Sequence, residues 1–566
     1  MTKKLLIVTM VCASSLSLWW ALAQNAPATL AGFFPSGALV YLEAKDFGSL
    51  LSDWNGSAEK TSWVKSSNHE VFSRSRLYLK LKDARDEFAK AAGVPPDDVL
   101  LSSVAGGNSS LAIYNIGKLE FLCITRLPSA RALSTALWRA RSTYQMRRAG
   151  NVDYYIKEDK VSRRVAAVAY TGDMLLLATS EEQLAGALEL IARLPRPSLA
   201  SEAWFADAVQ AAPAGDRDLR LVYNVDRLAA TPHFRSYWIQ RNTAALQEFR
   251  SGLADLERAR GEVRERRVLL RALPTADISA TETAAGQLLA LVPADAGFYR
   301  VWANPDAARA AGWIEEKLFS GVAGAPRRIQ APGTDRVSDA GSALDLEETI
   351  DQPPIVDDRS AQAFTALRER LSAVKLNAML EVSSTRVDPD QVFVRPQAAL
   401  VLLASTPWNA AQIQAALTTA VNGLWTNAGL GASWRTGANG TQVLDSLGAV
   451  VLAVDGPRLI LGDSREMVGA ILARRTQAAV AGAIYEASWR HGRELPNFER
   501  MTRLIDFPGT ARKPDDGDDN VGHEPSFYSE NIASLGRSLA RVDSATLTVH
   551  DTGAMLRETA VYRLRP

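Results

Sequence analysis

The chain of 566 residues contains little cysteine and little histidine, with two and five residues respectively. Two cysteines cannot build a disulfide-rich scaffold, nor a zinc or iron–sulfur site made of thiolates. Five histidines do not suggest a histidine-rich metal centre. We therefore predict no metal and no cofactor. The sequence nominates no catalytic, cofactor-binding or metal-binding residue.

The sequence also lacks an excess of charge of either sign. Lys and Arg number 64 against 63 Asp and Glu, which gives a formal net charge of +1. Nucleic-acid binding relies on a surplus of positive charge, so we predict no nucleic-acid partner. With 47% hydrophobic and 22% charged residues, the composition is typical of a folded globular chain.

The common catalytic signatures are missing as well. There is no Gly-x-Ser-x-Gly elbow, no His-Glu-x-x-His, no complete phosphate loop and no dinucleotide-binding Gly-x-Gly-x-x-Gly. Ser-x-x-Lys occurs at Ser57/Lys60, Ser62/Lys65 and Ser372/Lys375, as in penicillin-binding proteins. Because neither Lys-Thr-Gly nor Ser-Asp-Asn accompanies it, we interpret these short matches as chance.

One acidic run, residues 515–520, has oxygen ligands of the kind that calcium prefers. Counted from Asp516, however, Val521 stands where an EF-hand needs glycine, and Phe527 where it needs glutamate. His523 and Glu524 add one imidazole and one further carboxylate. We interpret the segment as a solvated loop rather than a metal site.

The only long hydrophobic run lies at the N-terminus. Lys3 and Lys4 precede an apolar stretch over 5–20, and the small-x-small sequence 21–23 follows. This pattern predicts a signal peptide over 1–23, cleavage between Ala23 and Gln24, and a periplasmic or secreted protein. The alternative is an uncleaved anchor at the cell surface. Since no later stretch reaches 18 apolar residues, we predict no transmembrane segment in the mature chain.

The chain repeats itself weakly but in order. Five blocks of the first half recur in the second: 35–41 with 293–299, 121–128 with 400–407, 171–182 with 455–466, 221–223 with 483–485, and 264–268 with 557–561. The second block aligns Cys123 with Leu402. We therefore interpret Cys123, the only cysteine left after cleavage, as a buried apolar residue rather than a nucleophile.

Each half mixes strands and helices without regular βαβ alternation. The sequence therefore predicts an α+β protein of two diverged tandem copies, each with a largely antiparallel sheet. The boundaries are a first domain over 24–275, a linker over 276–286 and a second domain over 287–566. Two polar insertions in the second domain, near 320–360 and 507–528, are expected to be mobile loops.

The segment from 242 to 270 supports two interpretations. Apolar residues at helical spacing suggest one long charged helix, but the matching C-terminal segment has the alternation of a hairpin. We favour a helix near 242–251 followed by a hairpin that turns at Arg260 and Gly261. A single helix is the rival. The interleaved Arg and Glu residues of this segment suggest a solvated face rather than an anion site.

Tryptophan is abundant, with 13 residues. Trp54 and Trp313 recur at related places in the two halves, which favours a role in helix–sheet packing. An alternative interpretation of Trp408, Trp425 and Trp434 is that they stack on a sugar, but we favour packing for these residues too.

The Pro-x-x-Ala-Leu-Val-Tyr strand, the Gly-Asp-Met-Leu-Leu-Leu-Ala-Thr-Ser-Glu-Glu block and the closing hairpin, together with the export signal, resemble a family of exported bacterial proteins known only as a domain of unknown function. The resemblance covers most of the mature chain. It implies no activity, cofactor or catalytic residue.

Export, duplication and missing catalytic motifs together favour a non-enzymatic binding or scaffold module of the bacterial cell envelope. Its expected partner is an envelope protein or a small ligand in a cleft between the repeats. The alternative is an envelope hydrolase with an unrecognised carboxylate site, which needs convergent acidic residues of perturbed pKa.

Overall fold

A computed structural model describes residues 29–65, 69, 72–232, 247–276, 278, 281–319, 362–387, 394–424, 433–437, 440–445, 449–505 and 541–565. The predicted signal peptide, both polar insertions, the acidic run at 515–520, His523, Glu524 and Trp425 lie outside these ranges. The chain divides into two compact units, Met1–Arg258 with Arg267–Ala272, and Ala259–Arg266 with Leu273–Pro566. Helices and antiparallel strands are mixed in both, which confirms the α+β class.

The strands of the first half form an antiparallel ladder. They are β1 Val40–Ala44, β2 Ser109–Asn115, β3 Glu120–Arg126, β4 Gln145–Ala149, β5 Val152–Glu158, β6 Val165–Thr171, β7 Met174–Ala178, β8 Leu219–Asn224, β9 Phe249–Ala259 and β10 Glu262–Arg271. Their pairings give the spatial order β10-β9-β8-β1-β2-β3-β7-β6-β5-β4. β1 therefore lies inside the sheet, between β2 and β8.

The strands of the second half form a ladder with the same connectivity. They are β11 Phe298–Ala303, β12 Leu376–Val387, β13 Val394–Ala404, β14 Ser433–Thr436, β15 Gln442–Asp445, β16 Ala449–Asp455, β17 Arg458–Gly462, β18 Tyr485–Trp489, β19 Val542–Asp551 and β20 Met555–Leu564. Their order is β20-β19-β18-β11-β12-β13-β17-β16-β15-β14. Each of these strands therefore corresponds to one strand of the first half, β11 to β1 and so on to β20 and β10.

The best sequence match between the halves falls on a hairpin, a strand and a helix. Gly172 and Gly456 turn the two hairpins with φ of 60° and 58°, in the left-handed region that favours glycine. The helices that follow begin after Ser180 and Ser464. The Ser464 hydroxyl accepts a hydrogen bond from the Met467 N–H at 3.3 Å, whereas no such bond is made by Ser180.

Strand pairing corrects two of the sequence alignments. Tyr41 pairs with Val222, whereas Tyr299 pairs with Ser488, so the fourth block is displaced by four residues. By the same logic the counterpart of Cys123 is Leu400 rather than Leu402. A displacement of two residues keeps a side chain on the same face of the sheet, so the interpretation of Cys123 as an apolar position survives.

Helices of the first half cover part of its sheet. They are α1 Phe47–Gly56, α2 Ala58–Val64, α3 Arg76–Ala92, α4 Asp98–Val104, α5 Ser129–Ser134, α6 Ala136–Ala140, α7 Glu181–Ile191, α8 Ala203–Ala211 and α9 Val225–Ala230. Phe88 of α3, Leu100 of α4 and Leu137 of α6 form one core with Val168 and Leu175 of the sheet.

Helices of the second half pack in two separate cores. They are α10 Glu282–Leu289, α11 Ala307–Trp313, which a π-helical turn Ile314–Leu318 extends, α12 Thr365–Ser372, α13 Ala410–Leu424, α14 Arg465–Ala473 and α15 His491–Ile505. One core joins α11, α12 and α13 to Leu400 and Leu402. The other joins α10 and α14 to Leu380 and Val401. Because neighbouring residues of β13 enter different cores, both faces of this sheet are covered.

Two predicted boundaries need correction. The expected linker, 276–286, includes the start of α10, whose Ala285 and Gly286 are buried. A Cβ on Gly286 would approach the Val480 carbonyl oxygen to 2.2 Å, so this helix is tightly packed structure rather than linker. The hairpin at Arg260 and Gly261 is confirmed. The helix expected near 242–251 is wrong from Phe249 onward, where β9 begins, and 242–246 lie outside the described residues.

Candidate functional site

The helices that connect β1 to β2 expose large apolar side chains. Each of these helices is started by a polar cap, in which Asp46, Ser57, Ser75 and Asp97 accept backbone N–H groups of α1 to α4. The helices are therefore locally well defined. Nevertheless, α1 has no buried residue at all, although Phe47, Leu50, Leu51 and Trp54 follow helical spacing.

Helix α3 changes character along its length. Phe88 and Ala91 are buried near its C-terminal end. Leu81 lies two turns earlier on the same stripe as Phe88, yet 45% of it is exposed. The apolar face of α3 thus extends beyond the core that covers its second half.

We define the aromatic–basic surface by eight exposed residues of α1, α2, α3 and the segment after α2. Its apolar members are Trp54, Trp63, Val64, Leu79 and Leu81, and its basic members are Lys65, Lys80 and Lys82. No ion pair of these three lysines occurs within the described ranges. Over 57–82 the sequence has six basic and two acidic residues, a net charge of +4 in a chain whose total is +1.

Direct contacts join the helices that carry this surface. The Lys60 ammonium lies 2.6 Å from Asn55 Oδ1 of α1 and 3.5 Å from Asp98 Oδ2 of α4. Phe72 bridges α2 and α3, since its ring centroid lies 6.1 Å from that of Trp63 and 5.5 Å from that of Tyr78. The exposed side chains therefore belong to one connected helical layer.

A buried polar row crosses the sheet of the first unit. Register places Ser110, Glu43, Arg220 and Asp255 side by side on four adjacent strands. Arg220 donates two hydrogen bonds of 2.6 Å to the Asp255 carboxylate, with both side chains almost fully buried. Such a pair favours one strand register, since a slip would leave both charges unpaired in the core.

The second unit has a different polar cluster near the corresponding place. The Tyr299 hydroxyl donates to Glu486 Oε1 at 2.9 Å, and His550 Nδ1 lies 3.0 Å from Glu282 Oε1 of α10. Burial raises the pKa of Glu486, partly offset by the Tyr299 hydrogen bond and by His550. Burial, with the charge of Glu486, raises the pKa of Tyr299 to about 12.

This cluster has groups that acid–base chemistry uses, but its geometry is not that of a metal site. Within the described residues no group of three His, Cys, Asp or Glu side chains is placed to hold a metal ion. The cluster joins α10 to β18 and β19, so its evident role is to fix that helix on the sheet.

One Ser-x-x-Lys motif lies at a surface cavity of the second unit. Ser372 and Lys375 line a hollow of about 410 Å³ together with Asn304, Pro305, Ala307, Val374 and Leu376. In the described contacts no hydrogen bond joins the serine hydroxyl to the lysine. Ser57 caps α2 by accepting the Lys60 backbone N–H, so that motif is structural. For Ser62 no side-chain placement is described.

Cys123 is not an activated thiol. Burial raises the pKa of Cys123 to about 12, and its register partners are Leu111 and Leu177. A thiol of that pKa is almost fully protonated near neutral pH and is a poor nucleophile.

The tryptophans separate into two groups. Trp313 and Trp408 are buried in the second unit's core, as the packing interpretation predicts. Trp434 is half-buried and donates from Nε1 to the Thr418 hydroxyl at 2.9 Å. For Trp54 the packing interpretation is wrong, because 45% of this residue is exposed.

The arginines of the hairpin form ion pairs, in keeping with a solvated face. Arg258 lies 3.5 Å from Asp53, Arg264 lies 2.6 Å from Glu262, and Arg271 lies 3.3 Å from Glu248. Sequence reasoning missed the aromatic–basic surface instead. The available signal was the local surplus of lysine and arginine over 57–82, where Leu79, Lys80, Leu81 and Lys82 alternate.

Comparison with known proteins adds little to this description. No protein-family model and no curated protein matches the chain. Among solved structures, crystal forms I and III of TP0453 are similar over 47% of this chain, with 14% and 12% identity and TM-scores of 0.23 and 0.24. These matches span 87% and 88% of the TP0453 chains. Such low TM-scores carry no conclusion about function. Of the described helices, none combines the length and apolar character needed to cross a membrane.

Proposed function

We propose that this chain is an exported, non-enzymatic binding module of the bacterial cell envelope that acts through its aromatic–basic surface. Seven of the 14 large hydrophobic residues that are exposed in the described ranges lie between Trp54 and Leu101. Exposed apolar side chains that cluster in this way are typical of an interaction site, whereas scattered ones are not. This clustering is the observation that carries the proposal.

We also propose that the two units are diverged copies of one ancestral domain. The equal order of the two ladders supports this, because ten strands rarely acquire the same order twice. In that case one copy kept a closed helical layer, whereas the other opened its layer for binding. The resemblance to an uncharacterised exported family, the cleft between the copies and the signal peptide remain predictions.

The binding role can be tested by photocrosslinking in living cells. A photoreactive amino acid replaces Leu79 in one strain and Val161, which is 92% exposed and lies outside this surface in the turn between β5 and β6, in a matched strain. We expect an adduct from position 79 in the envelope fraction and none from position 161. Adducts from neither position, or equal adducts from both, would contradict a binding role for this surface.

Export is tested on the same cells. We expect fractionation to place the tagged chain in the periplasm, with Gln24 as its first residue by mass spectrometry. Recovery of residues 1–23 on the envelope-bound chain would favour the anchored alternative. A cytoplasmic location would contradict export altogether.

A hydrolase remains the second candidate, since Glu282, Glu486 and His550 bring two carboxylates and an imidazole into one cluster. The test is release of soluble products from purified peptidoglycan by the parent chain and by Glu486→Gln. On our proposal neither protein releases products. Turnover by the parent that Glu486→Gln abolishes would establish the hydrolase instead.

A further inference from the structure

Resting on this proposed function, we infer that the partner of the aromatic–basic surface is a lipid bilayer that carries anionic headgroups. The surface combines two tryptophans, valine and leucines with lysines that face solvent. Tryptophan and lysine are the side chains enriched where protein meets the headgroup region. Segments that lie in the plane of a membrane combine apolar and basic residues.

The charge of the segment decides between a lipid and an apolar protein groove. The net charge over 57–82 is +4, and Lys65, Lys80 and Lys82 make no ion pair within the described residues. Each basic residue close to an anionic membrane contributes to attraction, and the contributions accumulate over a cluster. A second copy of this chain would bring the same positive charge to the interface, which disfavours self-association through this face.

Helix α3 shows where contact with the bilayer ends. Up to Lys82 its exposed residues are apolar or basic, but Asp83, Asp86 and Glu87 follow. Glu87 is held by Arg164 at 2.6 Å, next to the buried Phe88. The second half of α3 thus exposes Asp83 and Asp86 and packs Phe88 into the core, so only the first turns of the helix are suited to meet lipid.

The other helices contribute without spanning the bilayer. Trp54 lies in the last turn of α1, and Trp63 and Val64 are the last two residues of α2. Both helices are short, so their apolar side chains can reach the boundary between headgroups and acyl chains while the backbone stays outside it. The inferred mode is therefore peripheral and reversible.

Binding to vesicles tests the inference. The chain purified from the periplasm is incubated with phosphatidylcholine vesicles, with and without phosphatidylglycerol, and the bound fraction is measured by flotation. We expect binding that requires phosphatidylglycerol and weakens as salt is raised. The triple variant K65E/K80E/K82E is expected to lower the affinity at least ~10-fold.

A control variant of equal charge change separates local from overall electrostatics. K118E/K160E/R260E reverses three exposed cations outside the surface and is expected to retain most of the parent's affinity. Both variants are compared with the parent by circular dichroism and thermal midpoint. An equal loss of vesicle affinity in both variants, or equal binding to both kinds of vesicle, would overturn the inference.

Fluorescence provides a second measurement that does not depend on charge reversal. Brominated lipids quench tryptophan that enters the bilayer, so we expect quenching of the parent and much less quenching of W54F/W63F. Unchanged quenching in that variant would contradict the assignment. Self-association that K65E/K80E/K82E abolishes, without vesicle binding, would assign the surface to a second copy. A protein adduct in cells without vesicle binding would leave the binding module standing and reject the lipid.

Discussion

The two helical layers of this protein differ far more than the two sheets on which they lie. The second unit's layer buries Trp313, Ile314 and Leu367 against its sheet. In the first unit, the corresponding helices leave Trp54, Leu79 and Leu81 exposed. The strand order is the same in both. A shared sheet therefore does not determine whether an apolar helix face becomes core or surface.

The difference follows from how far each layer closes over its strands. Trp313, which is 6% exposed, packs with α12 and α13, whereas no residue of α1 is buried. Closing a layer contributes hydrophobic stability, while leaving it open provides a surface for a partner. On the proposed function, the closed layer of the second unit adds to its stability, whereas the open layer of the first unit serves binding.

The largest contrast is expected between the two tryptophans. Trp313→Ala should lower the free energy of unfolding of the second unit by about 3–5 kcal/mol, because it leaves a large cavity in a closed core. Trp54→Ala should change the stability of the first unit by no more than ~0.5 kcal/mol. Hydrogen exchange in urea, read separately for each unit, measures both. A comparable loss of stability from both variants would show that Trp54, like Trp313, is packed in a closed layer.

The next contrast concerns the buried polar row of the first unit and the corresponding positions of the second. Asp255→Ala leaves Arg220 buried without its partner and should destabilise the first unit by about 3–5 kcal/mol. By register, Thr548 pairs with Glu486 as Asp255 pairs with Arg220. Thr548→Ala should therefore cost about 1 kcal/mol or less. If urea midpoints shift equally, the buried ion pair does not organise the first sheet.

The perturbed carboxyl groups of the two units should respond to acid in opposite directions. Hydrogen bonds and ion pairs lower the pKa of Asp46, Asp159 and Asp216 in the first unit. Their stabilising contribution is present above the unfolded pKa and is lost as pH falls through the folded pKa. Burial opposes ionisation of Glu181, but hydrogen bonds from Tyr154 and Arg147 outweigh it and lower its pKa too.

In the second unit, burial raises the pKa of Glu486 and Asp463. Their contribution is full below the unfolded pKa and is lost as pH rises through the folded pKa. Between about pH 5 and about pH 3, where carboxyl groups titrate, we expect exchange protection to fall in the first unit before the second. Glu486→Gln should reduce the difference in exchange protection between the two units at low pH. Loss of protection in the second unit first would contradict this assignment.

The smallest effect concerns the Cys123 thiol, whose burial slows its modification without affecting the fold. Since the pKa of Cys123 is about 12, we expect its alkylation near neutral pH to be at least ~100-fold slower than that of a cysteine introduced by Val161→Cys. Mass spectrometry of the labelled chain measures both rates. Comparable rates would show that the face of β3 around Cys123 opens to solvent.

Much of the fold was accessible from sequence because it is encoded locally. Glycine at the two hairpin turns, serine before the following helices and alternation in the closing hairpin each act over a few residues. The alignment of the fourth repeat block was wrong because strand register depends on contacts between residues far apart in the chain. Tyr223 resembles Tyr485 in sequence, but only strand pairing identifies Trp489 as its counterpart.

The candidate site was harder to predict from the sequence, because the exposure of a side chain depends on how the whole helical layer packs. Trp54 and Trp313 occupy similar sequence patterns, and the pattern alone favoured packing for both. The linker expected at 276–286 failed in the same way. Its composition rich in alanine and threonine gave no sign that Gly286 would approach the Val480 carbonyl oxygen.

Export and duplication remain predictions from the sequence, which by itself determined the α+β class and the interpretation of Cys123 as an apolar position. These features depend on periodicity, capping and turn residues, which act between near neighbours in the chain. The tertiary structure decided the strand register, the pairing of Arg220 with Asp255, and which apolar helix faces are covered. Covering depends on contacts between residues far apart in sequence, and no local pattern records whether a helix face will find a partner.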